Sequence, residues 1–343
     1  MTAEPRPAQR RPVTLSDVAR EAGTSPSTAS RALSGRGYVA DDVRDRLLAA
    51  ADRLGYVPNA SARTLRQRTS RVVGVVVSDL GNRFYGVLAA GIEQTLREAD
   101  YRMLLVGDNS EPREEMAAVR TFLAMGAPGV ILTPVGPEAT ALLTRGGIAV
   151  VEVDRRVANV SADAVVIDNV RGSRDAIDHL LELGHRRIAL LGVDTDWTSD
   201  VGRLEGYRAA HLAAGVPVDE RLVLRTSFHD PTVEARIGAL LDDGAPTAIF
   251  AANNVLAEQA WRVLRARGLA LPGDISLVGF DDVEWTEMVS LTVVAQPTID
   301  LGRRAAMLLL RRIAEPEAAA TVEHLPPQLV VRGSTGPPRA FEL

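Results

Sequence analysis

From residue 71 onward the chain repeats one pattern: a short unbroken run of apolar residues, a polar loop, then a longer stretch with apolar residues every three or four positions. RVVGVVV is followed by FYGVLAAGIEQTLREAD, and YRMLLVG, PGVILTP and IAVVEV are further apolar runs separated by helical stretches. A second series begins near residue 171 with GSRDAIDHLLELG, RRIALLG, VGRLEGYRAAHLAAG, TAIFAAN and ISLVGFDD. Apolar strands alternating with amphipathic helices build parallel sheets covered on both faces. Two such series predict an α/β body of two doubly wound parallel-sheet lobes with a cleft between them.

The first seventy residues follow a different pattern, that of a small all-α head. In VTLSDVAREAG, Leu15, Val18, Ala19 and Ala22 share one helix face, Thr14 is the N-cap and Gly23 the left-handed exit. Two residues later Ser25 caps a second helix with Pro26 at its first position. Ala29, Ala32 and Leu33 form its thin buried stripe, and Ser27, Ser30, Arg31 and Ser34 its polar face. Residues 41–54 place Val43, Leu47, Ala50 and Leu54 on one side of a third helix, with Asp41 or Asp42 as its cap and Gly55 as its end. YVPNASARTLRQRTS then offers Asn59 as a further N-cap before a short stretch in which Ala62 and Leu65 stand among Arg63, Arg66 and Arg68. A helix this short is marginal in water on its own.

Two short helices joined by a tight turn form a helix-turn-helix. Small side chains on the second would let its axis approach DNA closely, and Arg31 could reach guanine O6 and N7 with both arms. A solvated face of an ordinary helical hairpin is the alternative reading of the same residues. Charge favours the first: residues 1–70 hold 12 Arg against 7 Asp and Glu, within a chain of net charge −5. A basic head on an acidic body suits one end meeting a polyanion.

In open parallel sheets ligands sit beyond the carboxyl ends of the strands. The polar residues there are Ser78 and Asp79, Asp154 and Arg155, Asn253 and Asn254, and Asp281 and Asp282. Phe84, Phe228 and Trp285 offer flat faces for stacking. Each has a duller alternative, since Asp and Asn after strands often cap the next helix and Trp285 suits a lobe core.

The string VTLSDVAREAGTSPSTASRALSG…YVPNASARTLR resembles the DNA-binding head and hinge of the LacI/GalR family of bacterial transcriptional regulators, and the likeness extends over residues 13–335. The resemblance implies a body of the periplasmic-binding-protein type. It assigns Pro26, Ser27 and Arg31 to bases, Thr14, Ser25, Thr28, Ser30 and Tyr38 to phosphates, and Asn59, Ala62 and Leu65 to a hinge in the minor groove, with Leu65 as the wedge. It assigns Ser78, Phe84, Asp154, Arg203, Phe228, Asn253 and Asp281 to an effector. Where the family usually has Asn-Asp, this chain reads Asn253-Asn254, and Thr24 and Ala29 stand where Val is usual.

The implied organisation is a disordered tail at 1–12, the helix-turn-helix domain at 13–58 and the hinge at 59–69. An N-terminal lobe then takes 70–168 and 297–323, a C-terminal lobe 169–296 and 324–336, and a tail 337–343. Crossings between lobes fall near 168–170, 295–297 and 324. TIDLGRRAAMLLLRRI returns to the first lobe, whose apolar surface, including the helix from Phe84 to Ala99, would form a homodimer.

The expected function is a repressor that binds a palindromic double-stranded DNA operator as a dimer and responds to a small polar effector, most often a sugar in this family. A solute-binding protein shares the body fold. The start MTAEPRPAQRRP has no apolar core for export and no run suits a membrane helix, so the expectation is a cytoplasmic protein with no membrane partner. Catalysis finds no support: there is no GxGxxG after the first strand, no GxxxxGK[ST], no cysteine, and no HExxH among His179, His185, His211, His229 and His324. His185, after Gly184, reads as a helix C-terminal cap. Neither a metal nor a cofactor is expected.

Overall fold

The computed structural model describes residues 11, 13–34, 37–56, 70–157, 160–227 and 230–339. The hinge residues Asn59, Ala62 and Leu65, Phe228, and most of both tails lie outside the described residues. The chain divides into two compact units, Met1–Thr69 and Ser70–Leu343.

The first unit contains α1 (Leu15–Glu21), α2 (Pro26–Ser34) and α3 (Asp41–Leu54). Val18, Ala19, Ala29, Ala32, Leu47 and Ala50 pack into one small core. The start of α1 is closed by a reciprocal pair: the Asp17 amide donates to Thr14 Oγ1 at 3.3 Å and the Thr14 amide to Asp17 Oδ2 at 2.9 Å. Gly23 and Gly55 both adopt positive φ where the helices end. The cap of α3 is a correction. Ala40 takes the N-cap position with no side-chain bond, and Asp41 and Asp42 lie inside the first turn, where their charges face the positive end of the helix dipole. Thr24, in the turn before α2, has its hydroxyl buried without a partner among the described residues.

The second unit begins with β1 (Val72–Val77), α4 (Arg83–Glu98), β2 (Arg102–Gly107), α5 (Pro112–Ala124), β3 (Gly129–Leu132), α6 (Pro137–Arg145), β4 (Ala149–Val153) and β5 (Asp163–Ile167). It continues through α7 (Asn169–Glu182), β6 (Ile188–Val193), α8 (Thr198–Ala213), β7 (Val223–Thr226), α9 (Val233–Gly244), β8 (Ala248–Ala251) and α10 (Asn254–Ala266). It closes with β9 (Ser276–Phe280), α11 (Glu284–Met288), β10 (Thr292–Ala295), α12 (Thr298–Ala314), β11 (Val322–Leu325) and β12 (Gln328–Val330).

Two six-stranded sheets result, in the orders β11-β5-β4-β3-β1-β2 and β12-β10-β9-β8-β6-β7. The second repeats the first strand for strand. All pairings are parallel except β10 with β12, an antiparallel edge that the sequence pattern did not announce. His324 pairs with Val166 inside the first sheet, so the last crossing comes after Leu325 and not at 324.

Helix α12 returns to the first lobe and packs along α4 so closely that the backbones nearly touch. A Cβ on Gly91 would stand 2.2 Å from the Ile299 carbonyl oxygen, and one on Gly302 2.2 Å from that of Leu88. The second lobe repeats the device, where a Cβ on Gly206 would stand 2.3 Å from the Val170 oxygen. Backbone atoms cannot swing aside as a side chain can, so the helices would have to separate. Gly302→Ala is therefore expected to lower stability by about 1–3 kcal/mol in urea unfolding, despite alanine's better helix propensity.

Candidate nucleic-acid interface and ligand cleft

In the head, the predicted base-reading residues Pro26, Ser27 and Arg31 are all exposed on α2. Ser25 caps this helix: its Oγ accepts the Thr28 amide at 3.2 Å and lies 2.9 Å from both Ser27 Oγ and Thr28 Oγ1. Three hydroxyls thus cluster at the helix's positive end, a natural seat for a phosphate oxygen. Among the described residues Arg31 donates only to the Ser27 carbonyl, at 3.4 Å. Arg20, Arg44 and Arg53 each face a carboxylate, and among the described residues Arg31 faces none. Tyr38 is 90% exposed, and Ser30 is half-buried on α2. Thr14 is committed to its cap, since its hydroxyl also donates to Asp17 Oδ2 at 2.6 Å.

In the body, the cleft lies where the carboxyl ends of both sheets meet and encloses a cavity of only about 50 Å³. Asp154 follows β4 and Asp281 follows β9, corresponding strands in the two lobes. Both residues take positive φ, 72° and 74°, a costly backbone for a residue with a Cβ. Phe84, Asp154, Arg203, Asn253 and Asp281 all line this cleft. Arg203 is fixed: Nε donates to Asn169 Oδ1 at 2.9 Å, Nη1 to the Ala252 carbonyl at 2.6 Å, and the guanidinium lies 3.9 Å over the Phe280 ring. Both oxygens of Asp281 are engaged, by Gln296 Nε2 at 2.6 Å and Asn254 Nδ2 at 2.9 Å. Asn253 lines the cleft while its side chain caps α10 through the Leu256 amide at 2.8 Å.

Ser78 does not reach the cleft. It is fully buried and its Oγ accepts from Arg155 Nη2 at 2.6 Å. Trp285 packs against the second lobe's core, its ring 6.4 Å from that of Trp261. His185 is no cap by side chain; Nδ1 meets Thr247 Oγ1 at 2.8 Å and Nε2 the Gly336 carbonyl at 2.9 Å, tying down the C-terminal segment.

Sequence reasoning undervalued Arg155 and missed Trp197, Asn82 and Gln296. Arg155 is 2% exposed and its Nε donates to the Pro134 carbonyl at 2.6 Å, with the Trp197 ring 3.7 Å from the guanidinium. Trp197 stands just before α8, in the loop after β6, so inspecting that strand end as well would have found it. Gln296 lines the cleft, and its Oε1 is buried with no partner among the described residues.

A roomier groove, about 590 Å³, lies between α5 and α6 over Met116, Leu123, Ala141 and Leu142. Its lining is mainly apolar, with exposed Arg120, Glu138 and Arg145 along it, whereas the cleft brings carboxylates, amides and a fixed guanidinium together.

Burial pushes the Asp154 carboxyl up to about 6, against the pull of Arg155 and Arg203. Asp108 and Glu115, buried behind the cleft at the end of the first sheet, are likewise pushed by burial to about 6 and about 7.

A helix-turn-helix head joined in one chain to two binding-protein-like lobes defines a ligand-responsive DNA-binding regulator. Residues 14–59 match the family model for bacterial regulatory proteins of the lacI family, and residues 177–335 that for a periplasmic binding protein-like domain. The chain is 36% identical over 334 residues to the HTH-type transcriptional regulator DegA of Bacillus subtilis (strain 168), covering 94% of this chain and 98% of that protein. It is 36% identical over 337 residues to the regulator CelR of Thermobifida fusca, covering 92% and 98%. Among solved structures, a lac repressor dimer bound to operator and the anti-inducer ONPF superposes with a TM-score of 0.80 at 27% identity, covering 95% of this chain and all of that one.

The chain belongs to the lacI family. It is a transcriptional regulator and not an enzyme.

A carboxyl that titrates higher folded than unfolded favours the folded state at low pH, and that contribution is lost as pH rises from about 4 to about 6. Asp154→Asn is therefore expected to raise the melting temperature at pH 8 and to gain little at pH 4. The difference is on the order of 1–3 kcal/mol, read by thermal unfolding across that range.

Proposed function

We propose that this protein is a repressor that binds a palindromic operator as a homodimer and changes its affinity when a small polar metabolite, a sugar or sugar derivative, enters the interlobe cleft. The observation that carries the DNA reading is α2: a capped, exposed helix of small side chains with one arginine that no carboxylate among the described residues neutralises. Pro26, Ser27 and Arg31 read bases in the major groove. Ser25, Thr28, Ser30 and Tyr38 hold the backbone, with Thr14 contributing through its capped helix end. Asn59, Ala62 and Leu65 supply the minor-groove hinge on the strength of the resemblance.

The effector reading is supported by the convergence of Asp154, Arg203, Asp281 and Phe84 on one cleft. It is supported also by a solved CelR–cellobiose complex, 32% identical with a TM-score of 0.71, which covers 94% of this chain. Carboxylates and amides beside an aromatic face suit hydroxyl donors on a ring. The ligand then acts by favouring one of two lobe arrangements, and coupling to DNA is reciprocal. No helix among the described residues is long and apolar enough to cross a membrane, and action on operators implies a cytoplasmic protein.

The test is fluorescence anisotropy with a labelled palindromic site and a scrambled control at fixed salt. Arg31→Ala is expected to weaken specific binding by about 1–3 kcal/mol, roughly 5- to 150-fold, and to leave scrambled DNA much less affected. Equal losses on both duplexes would remove Arg31 from base reading.

A further inference from the structure

The cleft is held shut by the protein's own side chains. Trp197, from the second lobe, donates from Nε1 to the Val135 carbonyl of the first lobe at 3.0 Å. The Arg155 guanidinium, from the first lobe, lies 3.7 Å over its ring. Burying a guanidinium is costly unless every donor is met. Those of Arg155 go to the carbonyls of Pro134 and Thr133, to Ser78 and to Tyr85, leaving one flat face for the indole to cover. Beside this stack, the Arg156 amide donates to Thr198 Oγ1 at 2.9 Å, also from lobe to lobe.

A second tie lies at the start of α4. Asn254 Nδ2 donates to Asp281 Oδ2 in its own lobe at 2.9 Å and to Asn82 Oδ1 in the other at 3.2 Å. Asn82 Oδ1 in turn accepts the Phe84 amide at 3.0 Å, so the tie ends on the helix cap itself. An amide nitrogen, with two hydrogens, satisfies both oxygens. A carboxylate there would have no hydrogen to give and would stand against Asp281. Arg83 and Glu284 add an exposed ion pair across the mouth.

We propose that Trp197 and Asn254 are positioning residues that keep the two lobes closed without an effector, so that the resting sensor is closed and a ligand enters by breaking this seam. The inference rests on the cleft being the effector site. It deepens that reading by making Trp197, which borders the same space, both the gate and a limit on what fits. A lobe pair already tied by side chains needs no ligand to close. The effector is therefore a molecule that displaces the seam, not one that gathers two separated lobes.

The test uses the absence of cysteine from the natural chain. Cysteines at Glu111 and Glu234, both exposed, lie just beyond the edge strands β2 and β7, at the rim farthest from the crossings. Spin labels there report lobe separation by electron–electron dipolar spectroscopy on the full chain, without DNA or ligand, diluted into unlabelled protein. The wild type is expected to give one short-distance population. Trp197→Ala and Asn254→Asp should each add a longer one and lower the closed-to-open ratio at least tenfold. Trp197→Phe, which keeps a ring but loses the bond to Val135, should fall between, and it covers the case in which a harsher change disturbs folding. A ligand-free wild type that is mostly open, or substitutions that leave the distances unchanged, would overturn the proposal. Because no DNA is present, that failure is separable from a failure of operator binding, which would overturn the regulator reading and leave the seam untouched.

Discussion

A guanidinium taken out of water has five N–H groups to satisfy and two faces to cover, and the body of this protein is organised around that demand at Arg155. Its partners come from separate segments of the first lobe: Ser78 after β1, the carbonyls of Thr133 and Pro134 after β3, and Tyr85 on α4. Asp154, its chain neighbour, supplies the opposite charge at 3.7 Å. Strand ends that must each present an acceptor to one cation cannot drift independently, so the first lobe's side of the cleft is rigid. The remaining face is covered by Trp197 from the other lobe, which couples that rigidity to the lobe angle.

The second lobe answers with its own fixed cation. Arg203 is held by Asn169, the Ala252 carbonyl and the Phe280 ring, at the carboxyl end of the second sheet. Asp154 and Asp281, at corresponding strand ends with matching positive φ, complete a near-symmetric lining. With the cations largely occupied by internal partners, the open groups of the cleft are chiefly acceptors, Asp154 and the buried Gln296 Oε1 among them. Such a lining complements hydroxyl or amine donors better than a phosphate or carboxylate.

Much of this was legible in the residues because it depends on local rules. Periodicity and caps gave the helices of the head, and apolar runs gave the strands and therefore the strand ends where Asp154, Asn253 and Asp281 stand. Several of the failures depend on what comes near in space. Ser78 follows a strand as Asp154 does, yet it lies behind Arg155. Asp41 and Asp42 looked like caps, but the chain enters α3 one residue earlier, at Ala40. Trp197 and Gln296 carry no sequence signal beyond their place after β6 and β10, and only the apposed lobes give them a role. The antiparallel β12 is three residues long, too short for its pattern to declare a direction.

A ligand cleft regulates nothing unless the head distinguishes one DNA sequence from another. The most direct measurement is in vitro selection from random-sequence duplexes with the purified full-length protein, without added metabolite. Enrichment of a single two-fold symmetric motif with half-sites at fixed spacing is expected, since a symmetric dimer presents two copies of α2. Recovery of no motif, with all duplexes bound alike, would contradict it.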